Sequence, residues 1–230
     1  MKKKLVVLSG AGISAESGIA TFRDSGGLWE GHAIEDVATP QAWQKNKALV
    51  LDFYNERRKN ALTALPNAGH EVLATLEEYF EVVIITQNVD NLHEKAGSSH
   101  VLHLHGELFK SRSTLDSSLV YPIEGWALQL GDRCEKGSQL RPHIVWFGEA
   151  VPMIDKAISI TKTADIFVVV GTSLQVYPAA GLLDYVPASS HPFFIDPNDV
   201  PNSGLRNLTF IKEKGTTGLL KLKEILLKNN

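Results

Sequence analysis

The sequence predicts an α/β protein: a Rossmann-like, doubly wound parallel sheet of about six strands with a smaller inserted lobe. Three observations carry this. Short apolar, β-branched runs recur without alternation, as strands buried on both faces do. Segments with helical spacing separate them. A glycine-rich turn, Gly10-Ala11-Gly12, follows the first run directly.

The runs that read as strands are 5–8, 81–85, 101–104, 166–170, 192–195 and 208–211. Helical spacing covers 40 to about 65, 68–79, 152–163, 179–185 and 217–227. Two stretches break the alternation. Residues 24–66 are mostly helical without a strand, and 109–142 are polar, loop-like and rich in Ser, Gly and Asp. Both read as insertions building the small lobe. The large lobe then comprises about 1–23, 67–108 and 143–230 of a single domain spanning 1–230.

Composition narrows the class. A net charge of −3 and a pI near 6.2 argue against an electrostatically driven nucleic-acid partner. No apolar run reaches the ~18 residues of a membrane span. The apolar run after Lys2-Lys3-Lys4 is too short for a signal peptide. The expectation is a cytoplasmic protein with neither nucleic-acid nor membrane partners. The single cysteine, Cys134, excludes a disulfide framework and a thiolate-rich metal site.

The turn reads Gly-x-Gly-x-x-Ala from Gly10 to Ala15, which lets backbone N–H groups approach a pyrophosphate at a helix N-terminus. A dehydrogenase would place a second strand ending in Asp or Glu about 20 residues on. Residues 27–36 do not read as a strand, so hydride transfer loses ground. After the strand 81–85 comes Thr86-Gln87-Asn88-Val89-Asp90-Asn91-Leu92-His93. Amides and a carboxylate there suit ribose hydroxyls and a carboxamide; the structural alternative is helix capping by Asp90 or Asn91. The next strand ends His103-Leu104-His105-Gly106-Glu107. Alternation puts His103 and His105 on one side, and Gly106 would let a substrate backbone come close. A histidine at that place is a candidate general base. No nucleophile or metal-hydrolase motif is present.

These residues, with Gly18-Ile19, Phe22-Arg23, Gly27-Leu28-Trp29, Arg141-Pro142-His143-Ile144-Val145-Trp146-Phe147-Gly148-Glu149 and Gly171-Thr172-Ser173, resemble the sirtuins, NAD-dependent protein lysine deacylases. The blocks occur in family order over almost the whole chain. The resemblance implies a cleft between the lobes for NAD and acyl-lysine. Gly10, Ala11, Gly12, Ser14, Phe22 and Arg23 would hold the phosphates and their surroundings. Gln87, Asn88, Val89 and Asp90 would meet the nicotinamide ribose and carboxamide. Gly171, Thr172, Ser173, Asp196, Gly215 and Thr216 would lie toward the phosphates and adenosine ribose. His105 would be the general base, and Asn88 would orient ribose and water. The implied products are free lysine, nicotinamide and O-acyl-ADP-ribose. Segments 145–149 and 174–177, with Val145, Phe147, Gly148, Leu174 and Val176, would hold a substrate peptide as an added strand.

Two departures stand out. Most sirtuins bind structural zinc through four cysteines, whereas this chain has Ser113 at one such position and keeps only Cys134. Zinc is therefore expected to be absent, with the lobe held by packing of Leu119, Tyr121, Ile123, Trp126 and Leu130. Asp196 stands where an Asn usually meets the adenosine ribose. Tyr54 and Arg57, three apart on a predicted helix, with the small Ala38 upstream, resemble the sirtuin class that removes succinyl or malonyl groups. The competing readings are a mono-ADP-ribosyltransferase using the same NAD site and a non-catalytic NAD-sensing module.

Overall fold

The computed structural model describes residues 2–20, 29, 31–198 and 206–228. Its strands, in chain order, are β1 (Lys4–Ser9), β2 (Glu81–Thr86), β3 (Val101–His103), β4 (Gly106–Ser113), β5 (Val120–Pro122), β6 (Leu140–Ile144), β7 (Ile166–Val170), β8 (His191–Ile195) and β9 (Thr209–Ile211). The helices are α1 (Ile34–Val37), α2 (Pro40–Lys45), α3 (Lys47–Thr63), α4 (Ala68–Leu76), α5 (Leu92–Lys95), α6 (Ile154–Thr161) and α7 (Gly215–Lys228).

Six strands pair in parallel in the order β3-β2-β1-β7-β8-β9. The order reverses between β1 and β7, where a doubly wound sheet places its ligand. All six strands predicted from apolar runs are present. Alternation along β1 explains the layering: Leu5 and Val7 pack with Leu73 of α4 and Leu219 of α7, whereas Val6 and Leu8 pack with Ala157 of α6 and Leu182. Residues 179–185, expected as a helix, form a 3₁₀ segment.

The helix expected from 40 to about 65 is split. Thr39 caps α2, with Pro40 in its first turn, and the Asn46 side chain accepts the Leu49 N–H to start α3. The stretch 109–142, expected as loop, instead carries most of a three-stranded antiparallel sheet, β5-β4-β6. That sheet straddles the expected lobe boundaries, since β4 starts at Gly106 and β6 ends at Ile144. A third core joins Val50, Phe53 and Tyr54 of α3 to Leu108, Leu128, Ile144 and Trp146.

The packing expected for this lobe is partly wrong. Ile123 packs on that core, but Trp126 and Leu130 are 40% and 57% exposed. Polar staples do the joining: Arg58 donates to the Trp126 and Leu108 carbonyls, and Asn55 exchanges hydrogen bonds with the Leu128 backbone. Among the described residues, no helix is long and apolar enough to cross a membrane.

Candidate active site

The site is built at the reversal between β1 and β7. Gly10 N–H donates to the Val170 carbonyl at 3.0 Å and Gly12 N–H to the Gly171 carbonyl at 2.8 Å. A Cβ on Gly10 would lie 2.6 Å from Thr172 Cβ, and one on Gly12 2.7 Å from Gly171 Cα. Gly171 itself has φ +64°, and its Cβ would sit 2.4 Å from the Ile13 nitrogen. Three glycines thus interlock where no side chain fits, and the two loops meet backbone to backbone. The turn continues as two 3₁₀ turns, Ala11–Ile13 and Ala15–Ser17, where the sequence reading put a helix N-terminus. Gly215 packs on Ile13, and Thr216 donates N–H and hydroxyl to Glu16. Phe22 and Arg23 lie outside the described residues.

The polar residues after β2 are tied to this turn. Asn88 Nδ2 donates to the Gly10 carbonyl (3.2 Å) and to Ser14 Oγ (3.0 Å). Ser14 Oγ in turn donates to Asp90 Oδ2 at 3.1 Å. Asp90 also accepts the Leu92 N–H, so its carboxylate caps the start of α5 while it holds Ser14. Burial raises the Asp90 pKa, opposed by those two hydrogen bonds. Gln87 Nε2 donates to Thr172 Oγ1, joining β2 to the loop after β7. Val89 lines the cavity beside Asp90. Ser173 is partly buried in the loop after β7, and Asp196 follows β8, its carboxylate accepting from Asn198.

Of the two neighbouring histidines only His103 lies in a strand; His105 follows in a bend. His103 Nδ1 donates to the Asn88 carbonyl at 2.9 Å, and its Nε2 pairs with Glu94 at 2.7 Å. Burial lowers its pKa, but the Glu94 hydrogen bond and charge outweigh that, and the net shift is upward. His103 is a bound, structural histidine. His105 Nδ1 faces the Gln87 carbonyl at 3.1 Å, so the proton sits on Nδ1 and Nε2 keeps its lone pair. Burial lowers its pKa, which keeps that lone pair free at neutral pH. Gly106 has a reason other than substrate approach. Its φ is +85°, and a Cβ there would run into the His143 carbonyl of β6.

On the α3 side, a cavity of about 260 Å³ is lined by Gly18, Ile19, Ala20, Arg57, Asn60, Ala61, Val89, Asp90 and Leu108. The Arg57 guanidinium stands 4.2 Å from the Trp29 ring centroid. Tyr54 is wholly buried, and its hydroxyl accepts the Trp146 indole N–H at 3.1 Å. Burial pushes the phenol up to about 12, so it stays a protonated donor. Ala38 is buried, and its carbonyl accepts the Phe147 N–H. Val145 N–H donates to the His105 carbonyl, which ties segment 145–149 to His105.

Sequence reasoning missed what holds that segment. Glu149 receives Arg141 through both guanidinium Nη atoms (2.7 and 3.0 Å), Arg112, and the Trp146 N–H. Arg141 also stacks on Trp146 at 3.3 Å. The signal was two opposite charges eight residues apart around an aromatic turn. In the loop after β7, Leu174 has φ +56°, a strained conformation for a non-glycine residue, and its N–H donates to Thr172 Oγ1. Val176 is partly buried in the same loop.

The zinc position does not suit zinc. Ser113 Oγ and Ser138 Oγ are 2.7 Å apart, and the Cys134 sulfur lies 3.3 Å from each. Ser113 Oγ also accepts the Leu115 and Asp116 N–H groups. One thiol and two hydroxyls that satisfy each other are not the donor set of a tetrahedral zinc site. Among the described residues, no group of three His, Cys, Asp or Glu could hold a metal ion.

Comparison with known proteins identifies relatives of the chain. The Sir2 family profile matches residues 10–178. An NAD-dependent protein deacylase of Bacteroides thetaiotaomicron is 53% identical over 230 residues, covering 98% of each chain. One from Helicobacter pylori strain 26695 is 58% identical over 195 residues, 85% of each chain. Among solved structures, a Sir2 homologue–NAD complex superposes with a TM-score of 0.88 at 38% identity, covering 99% of this chain and 91% of that one. With the family profile spanning most of its length and relatives more than half identical, the chain belongs to the Sir2 family.

Proposed function

We propose that this Sir2-family chain is an NAD-dependent protein lysine deacylase that removes acidic acyl groups, succinyl or malonyl, as well as acetyl. The observation that carries the reading is His105, whose proton is committed to the carbonyl of Gln87, the residue that opens the polar segment after β2, while Nε2 is left with its lone pair. The deacylase name of the Bacteroides and Helicobacter relatives supports it over ADP-ribosyl transfer or NAD sensing.

The interlocked glycines bring the turn after β1 against the loop after β7 with no side chain between them, and the phosphates of NAD would lie along this backbone. Bound NAD supplies the ribose that takes the acyl group, with nicotinamide, O-acyl-ADP-ribose and free lysine as products. Gln87 and Asn88 hold ribose hydroxyls, and Asp90 with the Val89 backbone holds the carboxamide. His105 Nε2 accepts the ribose proton. The peptide lies as an added strand between 145–149 and 174–177, in the cleft between the large lobe and the small lobe. Arg57, with the Tyr54 hydroxyl, takes the distal carboxylate of the acyl group, and Ala38 leaves it room. The small lobe needs no zinc.

The test is a panel of acetyl-, malonyl-, succinyl- and longer acyl-lysine peptides with NAD, reading nicotinamide release and product mass. A charge-assisted contact is worth roughly 1.5–3 kcal/mol, or about 10–100-fold. Arg57→Met should lower kcat/KM on succinyl-lysine by that factor and barely touch acetyl-lysine. Equal losses would assign Arg57 to the fold or to NAD. A gain of ADP-ribose on the peptide without loss of acyl would make the protein a transferase.

A further inference from the structure

Beneath the cleft floor lie two buried histidines that the proposed chemistry does not use. His70, in the first turn of α4, is 0% exposed, and His93 on α5 is 2% exposed. Their ring centroids are 4.9 Å apart. Each ring has one nitrogen engaged and one buried nitrogen without a hydrogen-bond partner, Nε2 of His70 and Nδ1 of His93.

The engaged nitrogens fix where the protons are. His70 Nδ1 faces the Asn67 backbone N–H at 3.3 Å. A backbone N–H can only donate, so Nδ1 is the acceptor and the proton sits on Nε2. His93 Nε2 lies 3.0 Å from Ser9 Oγ. That hydroxyl spends its proton on Thr86 Oγ1 at 2.9 Å, so it offers His93 only lone pairs. His93 therefore carries its proton on Nε2, and its Nδ1 is an acceptor. The two orphaned atoms are a donor and an acceptor on adjacent rings. Burial holds both rings neutral, lowering His70 to about 4 and His93 to about 3.

The far end of this arrangement reaches the site. Thr86 Oγ1 also accepts the backbone N–H of Asn88 at 3.0 Å. At the near end, the Asn67 side chain donates to the Ile13 carbonyl and to Ser17, on the glycine turn. We propose that His70 and His93 are positioning residues: a one-way hydrogen-bond chain from Asn67 through His70, His93 and Ser9 to Thr86 sets the place of Asn88. The two orphaned atoms make no direct hydrogen bond to each other, so the link is closed through one water that accepts from His70 Nε2 and donates to His93 Nδ1. The role rests on the reading of Asn88 as a group that meets ribose and water.

Nitrogen-15 spectra of histidine-labelled protein at pH 7 read the tautomers directly. Both rings should be neutral with the proton on Nε2; a proton on His93 Nδ1, or a charged ring, overturns the chain. Kinetics supply the second measurement. His93→Phe keeps a ring without a donor and should lower kcat about tenfold, the scale of one neutral hydrogen bond, with little change in the peptide KM. His93→Gln keeps a donor and should recover most of that loss. Equal losses in the two variants overturn the positioning role. Should His93→Phe fail to fold, Ser9→Ala cuts the same chain and should give the same kcat loss; wild-type turnover in Ser9→Ala also overturns it. Asn88→Ala separates the two readings. If it retains activity, the role of Asn88 is wrong and the chain positions nothing; if it is inactive while Ser9→Ala and His93→Phe are normal, only the chain is wrong.

Discussion

The cleft floor and the tip of the small sheet are both knitted by short polar side chains, yet they use them differently. On the floor, the groups knitted together are the ones proposed to meet the ligand. Ser14 stands between Asn88 and Asp90, donating to one and accepting from the other, and Gly10, Gly12 and Gly171 leave no room for a Cβ. A substitution there alters both the support and the surface it presents. At the tip, Ser113, Cys134 and Ser138 satisfy one another and two backbone N–H groups. Their task is to hold one loop against another, and several donor sets can do that. The difference teaches where a family pattern can drift: the four cysteines that the resemblance expects are replaceable, because only a geometry is required of them. On the floor, the same exchange would change the groups proposed to meet the ligand.

The sharpest way to break that contrast is at His105. If the floor is the reacting centre, His105→Ala should lower turnover by about 10²–10⁴-fold, the range for a lost general base. NAD affinity should change little, because the glycine cradle is untouched. Steady-state kinetics with calorimetric NAD binding checks both. Near wild-type turnover would remove His105 from the chemistry and leave the floor a binding surface.

A smaller effect sharpens the contrast through acid. The floor hides His70 and His93, whose pKa values in the folded chain lie near 4 and 3, below the ordinary ~6.5. Between those limits the unfolded chain binds protons that the folded chain refuses. Stability is therefore fully present above about pH 6.5 and is lost as pH falls toward 4. Two such groups should remove about 2 kcal/mol between pH 6.5 and 5.5, and His70→Asn should remove about half of that dependence. Urea unfolding at the two pH values measures it. A flat profile would mean that the rings charge in the folded protein.

How far the sequence reveals these regions depends on what the residues are asked to do. The strands of the large sheet were readable because residues such as Ile166–Val170 are buried on both faces and must be apolar. The small sheet was not, because β4 buries Ser111 and Ser113, polar residues whose partners are distant in sequence. The α2–α3 break had a local signal, the Asn46 cap, which helical periodicity masked. At the site, glycines and polar residues after strands were readable as chemistry. The Arg141–Glu149–Trp146 clamp and the neutral His70–His93 pair were not, since only three-dimensional proximity distinguishes them from surface charges and ordinary core residues.

The smallest effect is expected at the tip, and it tests whether hydrogen bonds have replaced a metal there. Ser113→Ala removes the acceptor of the Leu115 and Asp116 N–H groups and a partner of both Cys134 and Ser138. Leaving such partly buried groups unpaired should destabilise the protein by about 1–2 kcal/mol. In a chain of this size that is about 2–8 °C in Tm. Deacylation rates below the transition should stay at wild-type values, because no atom of the cluster belongs to the cleft. Purified protein should carry no stoichiometric zinc, and chelator should leave Tm unchanged. One zinc per chain by elemental analysis would overturn the replacement and require ligands other than these three. A large loss of activity in Ser113→Ala at full folding would show that the tip transmits to the site, and the contrast between the two regions would fail.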